Sequence, residues 1–391
     1  MTFFEHWQFF LALTIVLIIA MLLGCMEIDL RHYRLMTSIA FILIIFGQTP
    51  VQLLYFITFV VIEWILLLTF LSYIRKNGRK DPVYFAYLVS SLLPLILSKL
   101  QTFMNLGIFC FIGISYITFK VVQILIEIYD GVIKELHLYD YLSFLLFFPT
   151  ISSGPIDRSR RFLEDQNTVL TREAYLDMTM PGVTKLLLGY IYKAVIASRI
   201  YLVMTACLDM LANGAGISYE VGYAYLYGFY LFFDFAGYSL MAVGTSYILG
   251  IRTPDNFRQP FLAKDIKDFW DRWHISLSHW FRDFIFTRLV MRFKKQKWFR
   301  TRLTRANICF IINMTIMGIW HGLDWSYIIY GLYHGILLAL TETWQKKSTF
   351  YKKHREQGWY QFLSWIITMQ LYIFGFYIFS GRLLTVLTMK L

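Results

Sequence analysis

Charge is what this sequence has least of. Asp, Glu, Lys and Arg make up 16% of its 391 residues, where a soluble domain carries about 25%. The shortage is concentrated. Leu11–Cys25 has no charged side chain, Val51–Ile74 has only Glu63, and Met104–Ile126 only Lys120. Each run is close to the roughly 20 residues that cross a bilayer as a helix. Apolar and polar residues do not alternate with a period of two, which excludes a transmembrane β-barrel. The composition therefore implies an all-α, polytopic integral membrane protein.

Other absences narrow the reading. The four cysteines (25, 110, 207 and 309) form no CxxC pair. No disulfide framework or zinc signature is present, and all four are expected to be small buried hydrophobes. No HExxH occurs, and His274 and His279, five apart, do not share a helix face, so no metal site is expected. The segment MTFFEHWQ has no Lys or Arg. Leu22-Leu23-Gly24-Cys25 resembles a lipoprotein cleavage box, but without a basic region ahead of it the segment reads as a first membrane helix with its N-terminus outside. No internal repeat, low-complexity tract or linker is visible, so residues 1–391 are expected to form one integral domain.

The charge that is present is lopsided. The formal net charge is +12, and Arg252–Arg305 holds fourteen basic residues against five aspartates, a net +9. That is the signature of a cytoplasmic loop under the positive-inside rule, and it suits an acidic partner or anionic lipid headgroups. Placing Arg31/Arg34, 75–80, 158–161 and 346–355 on the same inner side leaves 49–50, 101–105 and 212–218 as outside turns. About ten spans are predicted, near 8–25, 36–47, 51–74, 82–98, 106–128, 182–208, 219–249, 306–321, 325–344 and 359–380. Residues 139–151 are too short to cross and are expected to be re-entrant. The polar stretch 162–178 is expected on the membrane surface.

Glu63, Lys120, Glu127, Lys193 and Asp234 fall inside spans. Such groups are costly in the bilayer, and two explanations stay open: structural ion pairs, or the lining of a polar passage.

Histidines mark the remaining candidates. A helix from Ala306 to His321 rises about 24 Å, so His321 is expected in the outer half of the hydrocarbon, just before the turn Gly322-Leu323-Asp324. Gly318 and Gly322 flank it, either for close backbone approach or to leave room for a ligand. The residues alone leave chemistry and packing both open for His321. His334, nine residues into the return helix, reads as an interhelical hydrogen bonder. In 264–286, Asp268, Asp271 and Arg272 sit at helical spacing beside Trp270 and Trp273. This is the pattern of an amphipathic interfacial helix with Trp and Arg at the headgroups, in which His274 remains a candidate.

Five segments carry a resemblance: GISYITFKVVQILIEIYDG (113–131), FFPTISSGPIDRSRRF (147–162), YLFFDFAGYSLMAVGTSYILGI (230–251), FWDRWHISLSHWFRDFIF (269–286) and MGIWHGLDWSYIIYGLYHG (317–335). Together they resemble the membrane-bound O-acyltransferase family, in order and over roughly a third of the chain. The resemblance implies a polytopic fold of about ten or eleven transmembrane helices with re-entrant and interfacial helices. It implies transfer of an acyl group from a thioester to a hydroxyl. The histidine of the family's WHG-type motif maps onto His321 and that of its WHISLS-type motif onto His274; both motifs are intact, and no catalytic role falls to His334.

The branch it resembles most moves D-alanine in the plasma membrane of Gram-positive bacteria. That branch implies a phosphopantetheine arm on a small acidic D-alanyl carrier protein in the cytosol as donor. The acceptor outside is a teichoic acid hydroxyl or a relay protein. No permanently bound cofactor and no nucleic-acid partner are expected; membrane lipids are. On the inner face, Arg288, Leu289, Val290, Met291 and Arg292 are candidates for carrier docking, their alternative being immersion in lipid. A covalent acyl-cysteine route is disfavoured, since Cys309 lies twelve residues from His321, about 18 Å along a helix. Polysaccharide O-acetylation is the competing enzymatic reading. Transport is the competing reading of another class, and it would leave both histidine motifs unexplained.

Overall fold

The structure, a computed structural model, describes residue 4 and residues 7–47, 49–104 and 110–389, with backbone alone at 101–104 and 389. Among these residues it is helical throughout, without a strand. The chain divides into two compact units, Met1–Tyr190 with Tyr238–Pro254, and Ile191–Gly237 with Asp255–Leu391.

The first unit contains α1 (Trp7–Cys25), α2 (Arg31–Phe46), α3 (Pro50–Asn77), α4 (Asp81–Met104), α5 (Ile114–Asp130), α6 (Leu138–Leu146), α7 (Ser159–Gln166) and α8 (Arg172–Tyr190). Pro50 opens α3 at the one helical position where a missing N–H costs nothing. Gly131, in the left-handed region, closes α5. α5 is buried on every face from Ile117 to Ile128, which makes it the axis of the unit. Gly113, just before it, has φ +89, and a Cβ there would lie 2.5 Å from the Ile151 carbonyl oxygen. Only glycine lets α5 meet the turn Phe148–Thr150 so closely. That turn also stacks Phe148 on Phe41 at 4.3 Å. Residues 139–151 accordingly fold as a short helix and a 3-10 turn packed on protein.

The second unit contains a π-helical stretch Ile191–Ala197, α9 (Ser198–Ala212), and the Ile217–Gly237 part of α10 (Ile217–Ile248). It continues with α11 (Ile266–Trp270), α12 (Ile275–Phe281), a second π-helical stretch Arg282–Phe286, and α13 (Thr287–Lys295). The hairpin α14 (Arg302–His321) and α15 (Trp325–Lys347) follows, then α16 (Thr349–His354), α17 (Gly358–Phe379) and α18 (Arg382–Met389).

Seven helices among the described residues are long and apolar enough to cross a membrane: 7–25, 50–77, 81–100, 172–212, 217–248, 302–321 and 358–379. The other three predicted spans differ for identifiable reasons. α2 has 16 residues and α5 has 17, and at 1.5 Å per residue both fall short of the roughly 30 Å hydrocarbon. α15 has 23 residues but carries too many polar groups. Residues 106–109 of one predicted span, and Asn105 of the turn expected at 101–105, lie outside the described residues, while 101–104 continue α4.

The stretch 162–178 is anchored on protein: Phe162, Gln166, Tyr175 and Met178 are buried, and the Tyr175 hydroxyl lies 3.1 and 2.7 Å from the carbonyl oxygens of Ala20 and Ile248. Two expectations need correction. Residues 264–286 do not form one amphipathic helix, because the chain breaks between α11 and α12. Trp270, Trp273 and Trp280 are buried rather than placed at headgroups. Of the cysteines only Cys309 is buried; Cys25 and Cys207 are half-buried and Cys110 is exposed.

Candidate active site

The site is built on the α14–α15 hairpin. Three glycines line its seam. A Cβ at Gly318 would lie 2.3 Å from the Tyr327 carbonyl oxygen, one at Gly331 2.4 Å from that of Met314, and one at Gly335 2.8 Å from the Ile311 Cα. The backbones of the two helices are therefore in direct contact, the arrangement small residues permit between membrane helices. Gly322 belongs to the same packing. Its missing Cβ would meet the Tyr327 ring at 2.5 Å, so its smallness admits a neighbour and not a ligand. Asp324 starts the return helix by accepting the Ser326 N–H at 2.8 Å, an N-cap.

His321 is the last residue of α14 and is half-buried. Its ring lies edge-on to Phe379 at 5.1 Å and near Trp320 at 4.6 Å, with Tyr327 and Tyr330 at 6.2 and 6.4 Å. The imidazole thus sits against a wall of aromatics drawn from three helices.

His274 lies between α11 and α12 and is 3% exposed. Its backbone is left-handed, φ +45. The Phe235 ring of α10 meets it edge-on at 4.7 Å, and its Nδ1 lies 3.3 Å from the Asn256 Oδ1. Burial holds this imidazole well below the ordinary value of 6.5, and His321, close enough to act on it electrostatically, pushes the same way. His274 is therefore neutral at pH 7. The structure brings the two histidines of the sequence motifs into one electrostatic neighbourhood.

His334 is fully buried. The Trp270 indole N–H donates to its Nδ1 at 3.3 Å, and Phe269, Tyr330 and Tyr333 pack around the ring. It ties α11 to α15. A second tie runs alongside: Lys267 donates to Glu342 at 2.6 Å and to Gln345 at 3.1 Å, and Gln345 donates to the α11 cap Asp265 at 2.9 Å. These contacts fix α11, and with it the turn that carries His274.

Among the docking candidates, Met291 and Arg292 are exposed on α13, and Arg288, Leu289 and Val290 are half-buried. The embedded charges separate into two kinds. Lys193 and Asp234 form an ion pair at 2.6 Å. Glu63 accepts instead from Ser91 at 2.8 Å, Glu127 accepts from Ser159 at 2.8 Å, and Lys120 donates to the Phe144 carbonyl and the Thr150 hydroxyl at 3.0 and 3.1 Å. Opposite charges also act on two of these three: Asp157 on Lys120, and Arg158 and Arg160 on Glu127. Among the described residues no group of three His, Cys, Asp or Glu side chains could hold a metal ion.

Sequence reasoning missed Asn256, Phe235 and Phe379. Nothing in their spacing relates them to the histidines. The one available signal was that an asparagine in a loop of a strongly apolar chain needs hydrogen-bond partners if it is buried.

A half-buried histidine at the turn of a glycine-seamed hairpin, with a second, neutral histidine nearby in a helical membrane protein, is a constellation suited to proton transfer. The chain belongs to the MBOAT, membrane-bound O-acyltransferase family, whose model matches residues 40–380, and is an acyltransferase. It is 40% identical to the teichoic acid D-alanyltransferase of Bacillus subtilis (strain 168), covering 98% of each chain. It is 41% identical to the teichoic acid D-alanyltransferase of Streptococcus thermophilus, covering 90% of this chain and 88% of that one. A probable alginate O-acetylase of Pseudomonas aeruginosa is 32% identical over 78% of this chain but only 56% of its own.

Proposed function

We propose that this multi-pass membrane protein transfers D-alanine toward teichoic acid hydroxyls of a Gram-positive cell envelope. The observation that carries this is the end-to-end similarity to teichoic acid D-alanyltransferases, with 98% of both chains aligned to the Bacillus subtilis protein. The alginate relative favours the acetyl-transfer reading less, because it matches over little more than half its own length.

In this reading the donor is the D-alanyl thioester of a phosphopantetheine arm on a small acidic carrier protein. The carrier is steered by the net +9 segment Arg252–Arg305 on the cytosolic face. It is seated on α13 by Arg288 and Arg292 with Leu289, Val290 and Met291 between them. The N-terminus lies outside, and the immediate acceptor is teichoic acid or an intermediary relay protein.

A thioester is already activated, so the chemical need is a base for the acceptor hydroxyl. His321 takes that proton as the oxygen attacks the thioester carbonyl. The carbon–sulfur bond breaks, and the phosphopantetheine thiolate leaves and is reprotonated. His274 orients the donor or stabilises the developing oxyanion.

The test is reconstitution of the purified protein in lipid with carrier charged with labelled D-alanine. Wild type discharges the carrier and His321→Ala does not, while eluting and melting as wild type does. Undiminished D-alanyl transfer by His321→Ala refutes the assignment of the base. Consumption of acetyl-CoA with no discharge of the carrier favours O-acetylation instead.

A further inference from the structure

His274 holds a left-handed backbone conformation that few non-glycine residues adopt. Asn256 holds the turn at three points. The Asn256 carbonyl accepts the Ile275 N–H at 2.9 Å. Its side-chain Oδ1 accepts the Ser276 N–H at 3.2 Å and the Ser276 hydroxyl at 2.6 Å, and it also faces His274 Nδ1 at 3.3 Å. A further backbone bond, Arg258 N–H to the Arg272 carbonyl at 3.0 Å, joins the same two strands of loop. Asn256, His274 and Ser276 are all buried.

The chemistry of these contacts fixes two orientations. A backbone N–H can only donate, so the Asn256 atom facing Ser276 is the oxygen and not the amide nitrogen. An amide oxygen can only accept, so His274 Nδ1 must carry the proton. In a neutral imidazole Nε2 then holds the lone pair.

We propose that Asn256 is a positioning residue of the acyl-transfer site: it fixes His274 as the Nδ1–H tautomer and so makes Nε2 a hydrogen-bond acceptor. The proposal rests on the reading of His274 as part of that site, and it chooses between the two tasks given to His274. A lone pair at Nε2 cannot donate to an oxyanion. It can accept from an N–H of the donor, either the D-alanyl amine or an amide of the phosphopantetheine arm. His274 therefore orients the donor through an N–H group, and oxyanion stabilisation falls to other groups. Phe235 packs edge-on against the ring, and His321 is a titratable group that acts on it.

The experiment is solid-state 15N NMR of histidine-labelled protein in lipid, with the His274 signals assigned by their loss in His274→Gln. It is combined with carrier discharge measured as a function of pH. Wild type shows protonated Nδ1 and unprotonated Nε2 at neutral pH. Asn256→Ala redistributes the tautomers and lowers kcat roughly ten- to a hundredfold, with carrier affinity unchanged. Asn256→Asp keeps the acceptor and the tautomer but adds a charge, raising the His274 titration by about one unit or more, and the acidic limb of the rate profile follows. An unchanged tautomer in Asn256→Ala overturns the proposal. If that variant does not fold, an unmoved His274 titration in Asn256→Asp overturns it. Normal transfer by His274→Gln would instead remove His274 from the reaction, and the NMR would still decide what Asn256 does to the ring.

Discussion

Replacing Gly331 by alanine probes the geometry of the site without touching either histidine. The added Cβ would stand 2.4 Å from the Met314 carbonyl oxygen, 3.1 Å from the Thr315 Cα and 3.2 Å from the Gly318 Cα. All three are backbone atoms, so no side chain can swing away. Cβ contacts under 3.0 Å essentially never occur, so α14 and α15 must separate by at least about 0.6 Å, the difference between those two distances. Overpacking of this kind costs about 1–3 kcal/mol. His321 ends the helix being displaced, while Phe379 reaches it from α17, so the shift changes the relation of the imidazole to its wall. A misplacement near 1 Å can cost on the order of a hundredfold in rate, and a loss of about tenfold or more is expected here. Gly358→Ala is the control, since nothing lies within 4 Å of a Cβ at that position. The assay pairs thermal unfolding in detergent with discharge of labelled D-alanine from the carrier. Wild-type melting and turnover in Gly331→Ala would refute the close-contact geometry and the dependence of His321 on it.

Three further outcomes are expected. Reversing Arg288 and Arg292 to Glu should weaken carrier binding at least tenfold at low ionic strength and flatten its salt dependence; unchanged titrations at moderate salt would place those residues in lipid. Lys193→Met should strand Asp234 and destabilise the protein by on the order of 3 kcal/mol, whereas Lys193→Met with Asp234→Leu should recover most of that in the same unfolding measurement. The third concerns pH. His274 stays neutral when folded because its pKa lies well below 6.5, while the unfolded chain takes up its proton near 6.5. The unfolded state then binds more protons below that pH. This contribution is fully present above about 6.5 and stability falls as pH drops further. His274→Gln should show a shallower acid slope.

Composition and run length expose the membrane class directly, because a bilayer admits few solutions for an uncharged run of that size. The WHG turn and the basic segment Arg252–Arg305 are equally legible, since both are local in sequence. Legibility fails where a residue's environment is set by distant chain. α2 and α5 read as spans because they are apolar, and the structure gives them 16 and 17 helical residues. Trp270, Trp273 and Trp280 read as interfacial, but the break at His274 turns them inward. For Glu63, Glu127 and Lys120 the sequence leaves ion pairs and a polar passage both open; their hydrogen-bond partners include a serine, a serine, and a carbonyl with a threonine hydroxyl, none of which announces itself. The same holds for Asn256, eighteen positions before His274 and tied to it only by the fold.

The glycine seam also bears on how the chain enters the bilayer. α14 is apolar enough to partition by itself, whereas α15, with Tyr327, Tyr330, Tyr333, His334 and Glu342 along its length, is not among the helices with that character. Its residues Ser326, Tyr330, His334 and Leu338 reach burial only against neighbours. A helix of that kind is retained by the membrane as the second arm of a preformed hairpin. The tight turn at Gly322–Asp324 and the touching backbones provide the contacts for such a hairpin. The residues that shape the candidate catalytic turn are thus the same ones on which insertion of the following helix depends, so variants at the seam should lower the yield of protein in the membrane before they lower the rate of any molecule that arrives there.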